Sequence, residues 1–138
     1  VHEILDGLPN VHLIAPAEYP EFVWLMDRAT LILSDSGGVQ EEAPSLQKPV
    51  LVTRDSTERP EALEVGATRL VGTNTQRVVD EVANLLVDKD AYAAMQVDQN
   101  PYGNGTAADT ILQLIVDRFS TAAASTNDLV LQSGRASQ

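Results

Sequence analysis

Apolar residues are distributed along the chain in two alternating patterns. Short, nearly continuous runs fall at residues 11–14, 30–33, 49–53 and 69–71, without the polar alternation of a half-exposed strand. That is the pattern of strands covered on both faces in a parallel sheet. Between and after them lie segments with helical spacing. Residues 21–28 carry Phe22, Val23, Leu25 and Met26, and residues 75–87 carry Val78, Val79, Val82, Ala83, Leu85 and Leu86, each set fitting a helix laid on a sheet. Further helices are expected at 39–46, 61–65, 90–97 and, as a last amphipathic one, 107–119, and a helical remnant at 1–5 ended by Gly7, Pro9 and Asn10. Pro44 removes a helix hydrogen bond, so the helix at 39–46 should be short or kinked. Gly66 should close the one at 61–65.

Strands alternating with helices predict an α/β protein, a Rossmann-like parallel sheet flanked by helices. Ligands of such sheets bind beyond the carboxyl ends of the strands. Two connections leave from that edge. In Leu31-Ile-Leu-Ser-Asp-Ser-Gly-Gly-Val-Gln-Glu-Glu42 an apolar run passes through a Gly-Gly turn directly into a helix. Gly37 and Gly38 lack Cβ atoms, so backbone can approach a ligand closely, and the first N–H groups of a helix have no intrahelical partner. Those donors and the helix dipole favour an anion. Ser36 adds a hydroxyl at the same place, and Glu41 and Glu42 could accept hydrogen bonds from sugar hydroxyls. The second connection, Arg54-Asp-Ser-Thr-Glu-Arg-Pro-Glu61, brings Arg54 and Arg59 to the same edge. Plainer accounts exist for each feature. A Gly-Gly turn can be only a tight connection, Arg54 and Arg59 can be consumed by loop salt bridges to Asp55, Glu58 or Glu61, and Phe22 can be an ordinary core residue.

Composition narrows the class. One domain of 138 residues with 43% apolar residues can bury a core. Nine basic and twenty acidic residues give a formal charge of −11, which opposes nucleic acid or an anionic membrane as partner. Cysteine is absent, and His2 and His12 are too few and too poorly spaced for a zinc site. No apolar run approaches the ~20 residues of a membrane span, and no signal peptide is visible. The expectation is a soluble, cytoplasmic protein without a cofactor. The start at Val1, without methionine, suggests a fragment. Residues 120–138 are rich in Ser, Thr and Ala around a Leu129-Val-Leu131 island, and are expected to form a disordered tail.

Taken together, Ser34-Asp-Ser-Gly-Gly-Val-Gln-Glu-Glu-Ala-Pro-Ser45, Lys48-Pro-Val-Leu-Val52, Arg54-Asp-Ser-Thr-Glu-Arg-Pro-Glu61 and Asn100-Pro-Tyr-Gly-Asn-Gly105 resemble the non-hydrolysing UDP-N-acetylglucosamine 2-epimerases. The likeness covers roughly the first 119 residues. It implies the carboxyl-terminal, UDP-binding half of a glycosyltransferase-B-type fold, residues 1–119, incomplete on its amino-terminal side. It also implies the family reaction, interconversion of UDP-N-acetylglucosamine and UDP-N-acetylmannosamine for surface polysaccharides, by loss of UDP from C1 and re-addition to a 2-acetamidoglucal. By the same resemblance Ser36, Gly37 and Gly38 hold the diphosphate, with Arg59 close to it. Glu42 takes the ribose hydroxyls, and Phe22 meets the uracil. The carboxylates and histidine that handle the C2 proton would belong to a missing amino-terminal domain, so no catalytic residue is assigned here and the isolated chain is expected to be inactive. A homodimer is expected of the full-length enzyme. Asn104 departs from the family pattern, which usually has aspartate there. Two alternatives stay open: a non-catalytic nucleotide-binding module or fragment, and the nucleotide-binding half of a related glycosyltransferase, against which the Thr57-Glu-Arg-Pro-Glu61 sequence speaks.

Overall fold

The computed structural model describes the backbone of residues 2–133 and the side chains of residues 3–120. The chain forms two compact units, the first ending at Tyr102 and the second beginning at Gly103. In the first unit the order is α1 (His2–Leu5), α2 (Tyr19–Arg28), β1 (Ile32–Ser34), α3 (Gly37–Glu42), a 3-10 turn (Ala43–Leu46), β2 (Val50–Val52), α4 (Pro60–Glu64), β3 (Thr68–Leu70), α5 (Thr75–Val87) and α6 (Lys89–Ala93). The second unit contains α7 (Ala107–Ser133).

The strands form a parallel sheet in the order β1-β2-β3, with Leu33 opposite Leu51 and Leu51 opposite Arg69. Central β2 is wholly buried, which is why its sequence is continuously apolar. Successive strand side chains point to opposite faces, and the packing follows that period. Val50 and Val52 join Met26 of α2, Val39 of α3 and Ala43 on one face. Leu51 joins Val71, Leu85 of α5 and Met95 on the other. α2 and α3 contribute apolar residues to one layer and α5 and α6 to the other, so helices cover both faces of the sheet, as the two periodicities predict.

One predicted strand is absent from the sheet. Residues 11–14 have no ladder partner among the described residues, and Ile14 is 65% exposed. The apolar run satisfies the side-chain pattern of a strand, but its backbone groups find no neighbouring strand to bond, and pairing is what makes a strand. The helix beginning at Ala107 also differs from its prediction. It passes Phe119, where the pattern was expected to give way to a tail, and continues to Ser133. No Gly or Pro interrupts the chain between Phe119 and Gly134, and Ala122, Ala123 and Ala124 are strong helix formers. Residues 134–138 of the expected tail lie outside the described residues.

Local chemistry sets the connections at the carboxyl edge. Ser36 caps α3 with extended backbone, its hydroxyl accepting from the Val39 N–H at 3.5 Å. Pro44 ends α3 after Glu42, and the chain tightens into the 3-10 turn, as the proline predicts. Pro60 opens α4 and Gly66 follows it with φ +83°. Gly72 lies beside the loop after β2: its N–H donates to the Arg54 carbonyl at 3.2 Å. Its φ is +65°, and a Cβ there would come within 2.7 Å of Asp55 Oδ1, so any side chain would be strained and would displace Asp55.

Candidate functional site

Because the strands are parallel, the loops after β1 and β2 emerge side by side. At the first, the N–H groups of Gly37 and Gly38 have no hydrogen-bond partner among the described residues, while that of Val39 is taken by Ser36. Two free donors at a helix start form a small electropositive patch. At the second, Arg59 reaches across to the first: a Cβ placed on Gly37 would sit 3.4 Å from Nη2 of Arg59. The guanidinium therefore faces the Gly-Gly turn across a gap about the size of a methyl group. A Cβ on Gly38 would sit 3.8 Å from Ser36 Oγ and 3.9 Å from Glu42 Oε1, which places both side chains close to that residue.

Arg59 is held on the carboxylate side by Glu41, through Nε to Oε1, and Glu58 stands at 3.8 Å from Nη1. The hydrogen bond to Glu41 raises the guanidinium pKa beyond its already high ordinary value, so Arg59 is a permanent cation. Arg54 lies in the same loop but pairs with Glu58 at 2.8 Å. The loop salt bridge considered from the sequence is thus what Arg54 makes. A hydrogen bond from its own backbone N–H, and then Arg54, hold the Glu58 carboxyl below its usual range.

Glu42 faces the other way as well, accepting from the Tyr19 hydroxyl at 2.9 Å through Oε2. That bond, reinforced by the carboxylate charge, raises the Tyr19 pKa. Between α2 and α3 a cavity of about 210 Å³ is lined by Tyr19, Val23, Met26, Glu42 and Asn100, among others. Phe22 does not line it. It stands on α2, 38% exposed, and belongs to neither buried cluster. The structure therefore brings Ser36, Gly37, Gly38, Glu42 and Arg59 together and leaves Phe22 and Arg54 outside that group.

Sequence reasoning passed over the residues that hold this group in place. Gln40 is completely buried; its Nε2 donates to the Ser36 carbonyl at 3.2 Å and its Oε1 accepts from Thr57 Oγ1 at 2.7 Å. Asn100 donates through Nδ2 to the Glu41 carbonyl at 2.8 Å and to Ser45 Oγ at 2.6 Å, and accepts from the Tyr102 N–H at 3.0 Å. The Tyr102 hydroxyl in turn accepts from the Ala62 N–H at 3.2 Å, closing the start of α4 onto the same motif. Gln40 lies four residues after Ser36, on the same helix face, which was the available signal. Placed beside Glu41 and Glu42, it reads from sequence as one more surface polar residue. Among the described residues no group of three His, Cys, Asp or Glu side chains could hold a metal ion, and no helix is long and apolar enough to cross a membrane.

A three-stranded parallel layer with helices on both faces, with an arginine beside a Gly-Gly helix start at its strand-end edge, defines a Rossmann-like α/β domain suited to an anionic ligand. The chain belongs to the UDP-N-acetylglucosamine 2-epimerase family, whose profile, described by that name, matches residues 1–116. It is 59% identical over 115 residues to the UDP-N-acetylglucosamine 2-epimerase of Escherichia coli K12, covering 83% of this chain and 31% of that enzyme. The crystal structure of the Neisseria meningitidis UDP-GlcNAc 2-epimerase bound to UDP-GlcNAc matches with a TM-score of 0.79 and 48% identity, over 84% of this chain and 31% of that one. A Staphylococcus aureus structure with UDP matches with a TM-score of 0.80 and 40% identity, over 86% of this chain and 33% of that one. The chain thus spans about a third of the length of these relatives, and its fold is that of one part of the glycosyltransferase-B-type epimerases.

Proposed function

We propose that this chain forms the UDP-binding part of a UDP-N-acetylglucosamine 2-epimerase, and that residues 1–119 are the unit that does so. The observation that carries the reading is the nearness of the Arg59 guanidinium to the Gly-Gly turn, 3.4 Å from where a Cβ on Gly37 would stand. It sets a permanent cation beside two free N–H donors, and a diphosphate needs both. Ser36, Gly37, Gly38 and Arg59 hold the diphosphate, and Glu42 takes the ribose hydroxyls in place of the Tyr19 phenol. Phe22, exposed on α2, meets the uracil.

In the reaction these residues act on the leaving group. As the C1–O bond breaks, negative charge gathers on the departing UDP, and fixed donors aimed at that charge lower the barrier without reorganising. The same grip keeps UDP in place for return to C1. Proton transfer at C2 needs a positioned acid and base, supplied by an amino-terminal domain joined to this one, in a homodimeric cytoplasmic enzyme. NMR observation of UDP-N-acetylglucosamine tests the whole. The chain alone should leave it unchanged, and the same sequence joined to an amino-terminal domain should produce the 2-epimer. Absence of the epimer from the joined protein would refute the assignment.

A further inference from the structure

The buried amide of Gln40 has a fixed sense. The Ser36 carbonyl can only accept, so the group facing it at 3.2 Å is Nε2. Oε1 therefore faces Thr57, whose hydroxyl must donate its hydrogen across the 2.7 Å contact. That commits the Thr57 lone pairs to acceptance, and one of them receives the Arg59 N–H at 3.1 Å. A single directed chain thus runs from the Arg59 backbone through Thr57 and Gln40 to the carbonyl of the residue that caps α3. Gln40 is wholly buried, where an unpaired amide is costly, so the chain has one satisfied arrangement.

We propose that Gln40 and Thr57 are positioning residues that set the Arg59 guanidinium against the Gly-Gly turn and so fix the spacing of the diphosphate site. Arg59 is the residue that precedes α4, in non-helical backbone with φ −122° and ψ 63°. Fixing its N–H fixes the point from which its side chain departs. Glu41 orients the guanidinium from the far side, but it does not tie the loop backbone to α3. The Gln40–Thr57 link is what joins the Arg59 backbone to the Ser36 carbonyl among the described residues. This inference rests on the reading of Arg59 as a diphosphate ligand.

The test compares UDP with uridine, which lacks the phosphates, in NMR titrations of four variants and the parent chain. Arg59→Met should lower UDP affinity and leave uridine affinity unchanged. Thr57→Val keeps the side-chain shape and removes the hydroxyl; it should lower UDP affinity about two- to tenfold, the range of one ordinary hydrogen bond, with uridine again unchanged. Thr57→Ser should behave as the parent, and Thr57→Val should add nothing in the Arg59→Met background. The positioning role is overturned if Thr57→Val binds UDP like the parent, if it weakens UDP and uridine in equal proportion, or if its loss adds in full to that of Arg59→Met. Failure of the underlying reading looks different: the parent then prefers UDP over uridine no more than Arg59→Met does.

Discussion

Substitution of Gly37 by alanine should separate stability from ligand binding. Gly37 is the first residue of α3 and has no positive φ, and the added Cβ would meet the Arg59 guanidinium at 3.4 to 3.7 Å, ordinary van der Waals contact with the end of a flexible side chain. The fold should therefore accept the methyl group. Replacing glycine with alanine in a helix contributes up to about 1 kcal/mol, so urea unfolding should show unchanged or slightly raised stability. Binding should move the other way. The methyl group fills the crevice between Arg59 and the turn, the place assigned to a phosphate oxygen. Displacing that oxygen forfeits at least one hydrogen bond to a charged group, worth about 1.5–3 kcal/mol, or roughly a tenfold to hundredfold loss of UDP affinity. Calorimetric titration with UDP beside urea denaturation of the same preparation reads both effects. A folded Gly37→Ala variant that binds UDP as tightly as the parent would show that the diphosphate does not use this crevice.

Glu42→Gln should weaken UDP binding by about 1–3 kcal/mol, since the amide is a poorer acceptor for ribose hydroxyls than the carboxylate; equal affinity in a titration would remove Glu42 from the site. Leu51→Ala, at a fully buried position in the central strand, should cost about 2–5 kcal/mol in chemical denaturation, and a loss below 1 kcal/mol would contradict the packing described. Phenolate absorbance should show Tyr19 and Tyr102 titrating above the usual value, Tyr19 through its bond to Glu42 and Tyr102 chiefly through burial. For a raised folded-state pKa the stabilisation is complete below the unfolded value of about 10 and is lost as pH rises through the folded one. The Tyr19 contribution should thus persist at neutral pH and disappear only in strong alkali, and Tyr19→Phe should remove one late-titrating group.

The layers of the fold were legible because burial writes itself into side-chain type. The Val50-Leu-Val52 run is apolar throughout because α2 and α3 cover one face and α5 covers the other, and Pro44 announced the end of α3 before any coordinates. Residues 11–14 were misread because an apolar run records what its side chains avoid, while strand pairing depends on a backbone neighbour that side chains do not specify. At the carboxyl edge, the Gly-Gly turn and the arginines of the next loop were visible in the sequence as candidates for one anion. Arg54 pairs with Glu58, four residues on, and it is Arg59 that lies near Gly37, a choice that spacing leaves even. Gln40 stayed hidden because its role lies in a contact 17 residues away, with Thr57. Nothing in its neighbours Val39 and Glu41 distinguishes a buried strut from a solvated amide.

UDP is proposed to sit on the Gly-Gly turn beside Arg59. A heteronuclear NMR titration of the chain with UDP addresses it directly. Shift changes are expected at the amides of Gly37 and Gly38, extending to Ser36, Glu42 and Arg59, with Phe22 responding to UDP and not to inorganic pyrophosphate. No shifts at millimolar UDP, or shifts centred away from the α3 start and the loop after β2, would contradict it.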